Sequence, residues 1–230
     1  MVSAIQTEKK MKMKNVLGKI VWLVFLVPAL VLAMAWKRLP ETVALHFDLH
    51  GNPDRFGSKR ELIGAAAILI AVNILVYFLL TNIYRIDPKK YAAENRDRLR
   101  RIAFSVAVFI SIILCFIITS SMDGSATLST GIIFGGVGLL FAVIGNYMPN
   151  LKPNYFAGFR LPWTLESENN WKKTHAVAGR LWFGGGLLIA ACCPFLPPTV
   201  SMIFFFSVML ILVIIPFIVS YKQFRKERGT

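Results

Sequence analysis

Between its loops this chain has almost nothing that can carry a proton. The apolar runs at 16–36, 62–84, 102–121, 128–147, 177–196 and 199–221 contain no aspartate, glutamate or histidine. That removes the intramembrane acidic and imidazole relays on which ion-coupled pumps depend. Cysteine is scarce as well: Cys115 and the adjacent Cys192 and Cys193. Neighbouring cysteines make a poor disulfide, and without histidines nearby a poor metal site, so all three read as small apolar residues. The sequence holds no Walker loop, dinucleotide fingerprint, HExxH or CxxC, and its serines and threonines match no nucleophile motif. These absences argue against an enzyme and imply no cofactor.

What is abundant is hydrocarbon. Of 230 residues 56% are hydrophobic and only 17% charged, well past the balance of soluble proteins. Apolar runs near 20 residues match the thickness of a bilayer core. They predict an all-α integral membrane protein with six spans, Val16–Trp36, Leu62–Tyr84, Ile102–Ser121, Leu128–Tyr147, Val177–Leu196 and Thr199–Tyr221. The fifth is closed early by prolines, and its helix is expected to begin before the membrane. With the N-terminus inside, 21 of the 26 Lys and Arg fall in cytoplasmic segments. This positive-inside distribution places both termini in the cytoplasm. The net charge of +14 therefore reflects orientation and anionic lipid, with no direct nucleic-acid binding expected.

The organisation expected is a basic tail (1–15), two spans (16–84) around an external loop (37–61), a basic loop (85–101) and a four-span module (102–230). Within the spans the strongest polar candidate is Asn73, with Tyr77 and Thr81 on the same helical face, read as an interhelical hydrogen bond. Gly131, Gly135, Gly138 and Gly145 in the fourth span, and Gly184 to Gly186 in the fifth, allow close helix approach. Packing within one chain is the favoured use, and homo-oligomerisation the alternative.

The external loop carries His46, Asp48 and His50 at two-residue spacing, which on an extended strand shares one face. A zinc site is the lesser reading. Gly51-Asn52-Pro53-Asp54 reads as turn chemistry, and the loop as a surface folding back over the helix ends. His46, Asp54 and Lys59 are its candidates for ordering the loop or facing a ligand.

The longest polar stretch, 145–180, interleaves aromatics with cations and prolines. Two readings fit it: an aromatic belt at the headgroups, or an ordered docking surface. Trp171, His175, Ala178 and Trp182 fall on one helical face.

The motifs in this stretch resemble the signature of the SdpI family of bacterial membrane immunity proteins. They are Asn146-Tyr147-Met148-Pro149, then Lys152, Asn154-Tyr155-Phe156 and Gly158, then Arg160, Pro162-Trp163-Thr164-Leu165, and finally Trp171, Lys173-Thr174-His175. Leu161 departs from the threonine many members carry. The first loop (Leu39-Pro40, His46-Phe47, Gly51, Pro53-Asp54, Lys59) is similar to an uncharacterised module often found ahead of that signature.

The resemblance implies a multi-pass protein of the bacterial cytoplasmic membrane that protects against a secreted toxic peptide. It also implies a receptor that draws a cytoplasmic repressor to the membrane. Both jobs would be done by binding. Asn146, Tyr147, Pro149, Asn154, Tyr155, Arg160, Trp163, Thr164, Trp171 and His175 would form a partner surface or the core of an ordered cytoplasmic cap. A transporter or permease-like exporter of peptide or lipid is the runner-up reading, and a metal-dependent membrane enzyme the third.

Overall fold

Inside a bilayer every backbone N–H and C=O must find its partner within the protein, so apolar runs of this length close into helices. In a computed structural model, which describes residues 2–123 and 129–229 with the side chains of 2–17 and of Asp123 left out, they do so. The chain runs α1 (Val2–Ala35), β1 (Thr42–Phe47), β2 (Pro53–Ser58), α2 (Lys59–Asn82), α3 (Arg96–Ser120), α4 (Thr130–Tyr147), α5 (Pro162–Glu166), α6 (Glu168–Cys192) and α7 (Pro198–Glu227). Among the described residues, six helices are long and apolar enough to cross a membrane: α1, α2, α3, α4, α6 and α7. The expected six spans stand. The start of the fourth at Leu128 and the side chains of Lys9, Lys10, Lys12 and Lys14 lie outside the described residues.

Two local features differ from expectation. Helix α1 runs back to Val2, through the segment read as a tail, and continues across Pro28. The loop after α1 is not irregular: it adds a two-stranded antiparallel hairpin to an otherwise helical chain.

Helices α1, α2 and α3 pack on one another, as do α4, α6 and α7, and the two groups meet along α3 and α4. In the first group Val21, Phe25, Tyr77, Ala103 and Ala107 form one core cluster. Asn73 does bridge helices: its Nδ2 donates to the Ala107 carbonyl (3.0 Å) and to Ser111 Oγ (3.1 Å).

In the second group the glycines are used within the chain. A Cβ on Gly138 would stand 2.6 Å from the Gly186 carbonyl oxygen, and one on Gly145 only 2.5 Å from the Phe183 nitrogen. Helices α4 and α6 therefore touch backbone to backbone, a packing that only small residues permit. Gly185 meets Leu212 of α7, whereas Gly184 faces open space.

Candidate functional site

Two ordered structures sit at opposite ends of the helices. The first is the hairpin. Val43 of β1, with Leu39 just before it, joins Leu32, Ala35, Leu62, Ala66, Leu114 and Ile118 in a core cluster at the ends of α1, α2 and α3. Ser121 Oγ donates to the Ala44 carbonyl (3.4 Å), and Thr130 Oγ1 of α4 to the Leu49 carbonyl (3.2 Å). The loop thus folds back over the helix ends and touches both helical groups.

Lys59 ties the base of the loop. Its Nζ lies 2.7 Å from Glu41 and 5.2 Å from the Trp36 ring centroid. Ser58 and Glu61 form a reciprocal capping box that starts α2.

The expected row of His46, Asp48 and His50 does not form. Strand β1 ends at Phe47, and Asp48 opens the turn. The Asp48 carboxylate accepts the backbone N–H groups of His50 and Asn52, each at 2.8 Å. Those bonds, that of Asn52 foremost, hold its carboxyl below the usual carboxylate range. The strand pairing is irregular on either side of His46, as where a bulge re-aims a side chain. His46 Nδ1 there meets Asp54 Oδ1 at 2.6 Å. Asp48 is therefore spent on the turn, and among the described residues no three His, Cys, Asp or Glu side chains gather as a metal site.

The second structure is the polar stretch, and it is a folded cap. Pro149 packs against Gly179, where a Cβ would stand 2.5 Å from the proline ring. The chain then crosses to α5 through a loop with Asn154 at its centre. Buried Asn154 accepts from the N–H groups of Phe156 (3.0 Å) and Ala157 (2.7 Å). Its Nδ2 donates to the carbonyls of Lys152 (2.9 Å) and Ala157 (3.2 Å). All four bonding positions of this amide are filled.

Gly158 follows with φ +101°, and a Cβ there would collide with His175 Nε2. His175 is fully buried and stacks on Trp171, ring centroids 3.9 Å apart. Phe159 N–H donates to Nε2 at 3.1 Å, while Nδ1 lies 2.8 Å from the Trp171 carbonyl. A nitrogen that accepts an N–H has kept its lone pair, so His175 is neutral, with its proton on Nδ1. Trp171 in turn donates from Nε1 to the Leu151 carbonyl (2.8 Å).

Helix α5 starts with Pro162 at its first turn. Buried Thr164 there accepts from Leu161 N–H (2.9 Å), and its hydroxyl lies 2.7 Å from the Phe159 carbonyl. Trp163 reaches α7, donating to Ser220 Oγ (2.7 Å) and stacking on Phe224 (5.3 Å between centroids). Ser220 passes the bond on to Asn170 Oδ1 (3.0 Å), which also accepts from Thr174 (3.0 Å).

Five contributors had no motif to announce them. Asn95, fully buried before α3, pairs with Lys152 as a second backbone would, accepting its N–H (2.8 Å) and donating to its carbonyl (3.0 Å). Asp87 accepts from Tyr155 N–H (3.0 Å), and Lys89 donates to the Leu165 carbonyl (2.7 Å). Asn170 and Ser220 complete the list. The faint signals were an acidic residue within a basic loop and an Asn169-Asn170 pair before a tryptophan.

The structure therefore divides the ten signature residues. Asn154, Thr164, Trp171 and His175 are interior, and Trp163 is docked on α7. Tyr155, 44% exposed, stays at the surface with Arg160, which holds the Tyr155 carbonyl (2.9 Å). Asn146 and Pro149 are exposed too, and Tyr147 is half-buried.

Two parts of the chain are similar to known families. Residues 150–220, which include most of the cap and all of α6, match the SdpI/YfhL protein family. Residues 23–80, with the hairpin, match a domain of unknown function, DUF1648. The immunity protein SdpI of Bacillus subtilis (strain 168) is 25% identical over 169 residues, 73% of this chain and 75% of that protein. Its name suggests a role without catalysis. No solved structure matches the chain. This chain is a multi-pass protein of the bacterial cytoplasmic membrane whose second half is similar to the SdpI/YfhL family and whose first spans and hairpin are similar to the DUF1648 domain.

Proposed function

We propose that this protein is an immunity and signalling protein that binds a secreted toxic peptide on the hairpin face and a cytoplasmic repressor on the cap. The observation that carries the reading is the cap itself. A link between spans needs only a few residues, yet this one is built around buried Asn154, Thr164, Asn170, Trp171 and His175. Such a network holds Tyr155 and Arg160 in fixed positions at the surface, as a docking face requires. The positive-inside charge distribution puts that face in the cytoplasm and the His46–Asp54 pair outside, where a secreted peptide arrives. A ligand couples the two ends only by binding two conformations with different affinity.

The test is survival of a sensitive host exposed to candidate secreted peptides, with membrane abundance measured for every variant. Wild type should protect. Arg160→Glu should keep abundance and lose repressor recruitment, while His50→Ala and His46→Ala report on the external face. Failure to protect against any peptide would overturn the immunity reading. Arg160→Glu recruiting the repressor normally would overturn the docking face.

A further inference from the structure

Where the cap meets α3, a cavity of about 300 Å³ lies between the start of α3, the chain at 149–153 and the first turn of α6. Its apolar lining is Trp171, 1% exposed, with Pro149 and Pro153. Its charged lining comes from three separate segments. Arg98, Lys152 and Lys172 border it, and Glu168 is the one carboxylate among the described lining residues.

These side chains stand on fixed bases. Asn95 holds both the N–H and the carbonyl of Lys152 (2.8 and 3.0 Å), and Asn154 Nδ2 donates to the same carbonyl (2.9 Å). Trp171 is pinned by its bond to the Leu151 carbonyl and its stack on His175. Arg98 follows Asn95 by three positions, which puts both on one side of α3, the side turned to the cap. Arg100, which meets Gly18 of α1, stands about 200° round the helix from Arg98. Helix α1 therefore flanks the opposite side of α3.

The cations are not spent on one another's counter-charges. Among the described residues the Arg98 guanidinium has one partner, the Glu94 main-chain carbonyl at 2.8 Å. The Lys152 and Lys172 ammoniums have no hydrogen bond or ion pair there. Three cations against one carboxylate leave two positive charges beside an apolar wall.

That is the complement of a phosphate monoester, a group of about two negative charges carried on an organic body. A guanidinium fork takes phosphate oxygens two at a time, and ammoniums add point charges. The volume lies at the small end for ligand sites, which suits a compact molecule. We propose that this cavity binds a phosphate monoester, its oxygens held by Arg98, Lys152 and Lys172 and its organic body laid against Trp171. Tyr155 and Arg160 take no part, so this site and the repressor-docking face fail by separate tests.

Isothermal titration of the full-length protein in detergent tests the site. The probe is phenyl phosphate, and the comparison is benzoate, a single charge on the same ring. Wild type should bind phenyl phosphate saturably and about tenfold more tightly than benzoate. Arg98→Gln and Lys172→Gln should each weaken phenyl phosphate about tenfold, the scale of one charge-assisted hydrogen bond. Arg96→Gln, which removes the same charge from a residue lining a different cavity, should bind as wild type does.

Absence of saturable binding, equal affinity for the two probes, or equal loss in Arg98→Gln and Arg96→Gln would overturn the proposal. Competition by dihexanoyl phosphatidic acid identifies where the monoester comes from. Tighter binding than phenyl phosphate assigns it to a lipid headgroup, and weaker binding to a soluble molecule. If Arg98→Gln fails to fold, the exposed Lys172 variant and the preference of wild type still decide.

Discussion

His175 shows how a residue with chemical potential can be used for architecture alone. A histidine beside tryptophans at a membrane surface invites a reading as a titrating sensor. Here both ring nitrogens are committed, one to the Phe159 N–H and one to the Trp171 carbonyl. His175→Ala would leave that N–H unpartnered and remove the stack on Trp171, at a cost of about 2 kcal/mol. Trypsin should then cut at Arg160 faster in the variant than in wild type, in membranes with the cap exposed. Gly158→Ala should show the same phenotype for a different reason, because its φ of +101° and the nearby imidazole both exclude a Cβ. Asn154→Asp is a sharper change still, since it turns two donated bonds into repulsion between the new carboxylate and the carbonyls of Lys152 and Ala157. It should lower the thermal unfolding midpoint, whereas Asn146→Asp on the exposed side should not.

Two elements carry most of the organisation. The seam of α4 and α6 depends on backbone contact, so Gly138→Leu and Gly145→Leu should force the helices apart and sharply reduce folded protein in the membrane. Gly184→Leu, which meets open space, should leave abundance near wild type. The hairpin turn depends on Asp48. Its carboxyl is lower in the folded than in the unfolded state, chiefly through the Asn52 N–H. The turn's added stability is therefore fully present above the ordinary carboxylate range and is lost as pH falls through the lowered value. Protection of the His50 and Asn52 amides, taken relative to their intrinsic exchange at each pH, should fall on acidification in wild type. In Asp48→Asn, which has no carboxyl to titrate, that fall should be absent.

For the whole molecule the central expectation is orientation. A single cysteine placed at His50 should react with a membrane-impermeant thiol reagent in intact cells. One placed at Arg160 should react only after permeabilisation. The natural cysteines lie in α3 and at the end of α6, and are replaced by alanine for this measurement. Labelling of both positions from outside would contradict the positive-inside assignment. That orientation would let the hairpin meet secreted molecules and the cap cytoplasmic ones.

By itself, the sequence determined the number of spans, because the bilayer demands a helix wherever about 20 apolar residues run together. It also carried the likeness to the SdpI/YfhL family, through motifs packed into 36 consecutive residues. Trp171, His175 and Ala178 were legible as one face, since helical periodicity is a local property. Only the tertiary structure decided which signature residues are interior. Asn154, Thr164 and Arg160 look alike as polar loop residues, yet two are sealed inside and one is exposed, because burial depends on what the loop folds against. The part played by Asn95, Asp87 and Ser220 was invisible for the same reason: each meets a residue more than 50 positions away. His46 and Asp54 were separately legible, but their pairing was not, and neither was the loss of Asp48 to the turn. A strand that stops after Phe47 brings the former together and turns the latter aside, and hairpin register is set by turn geometry and by packing on the helix ends.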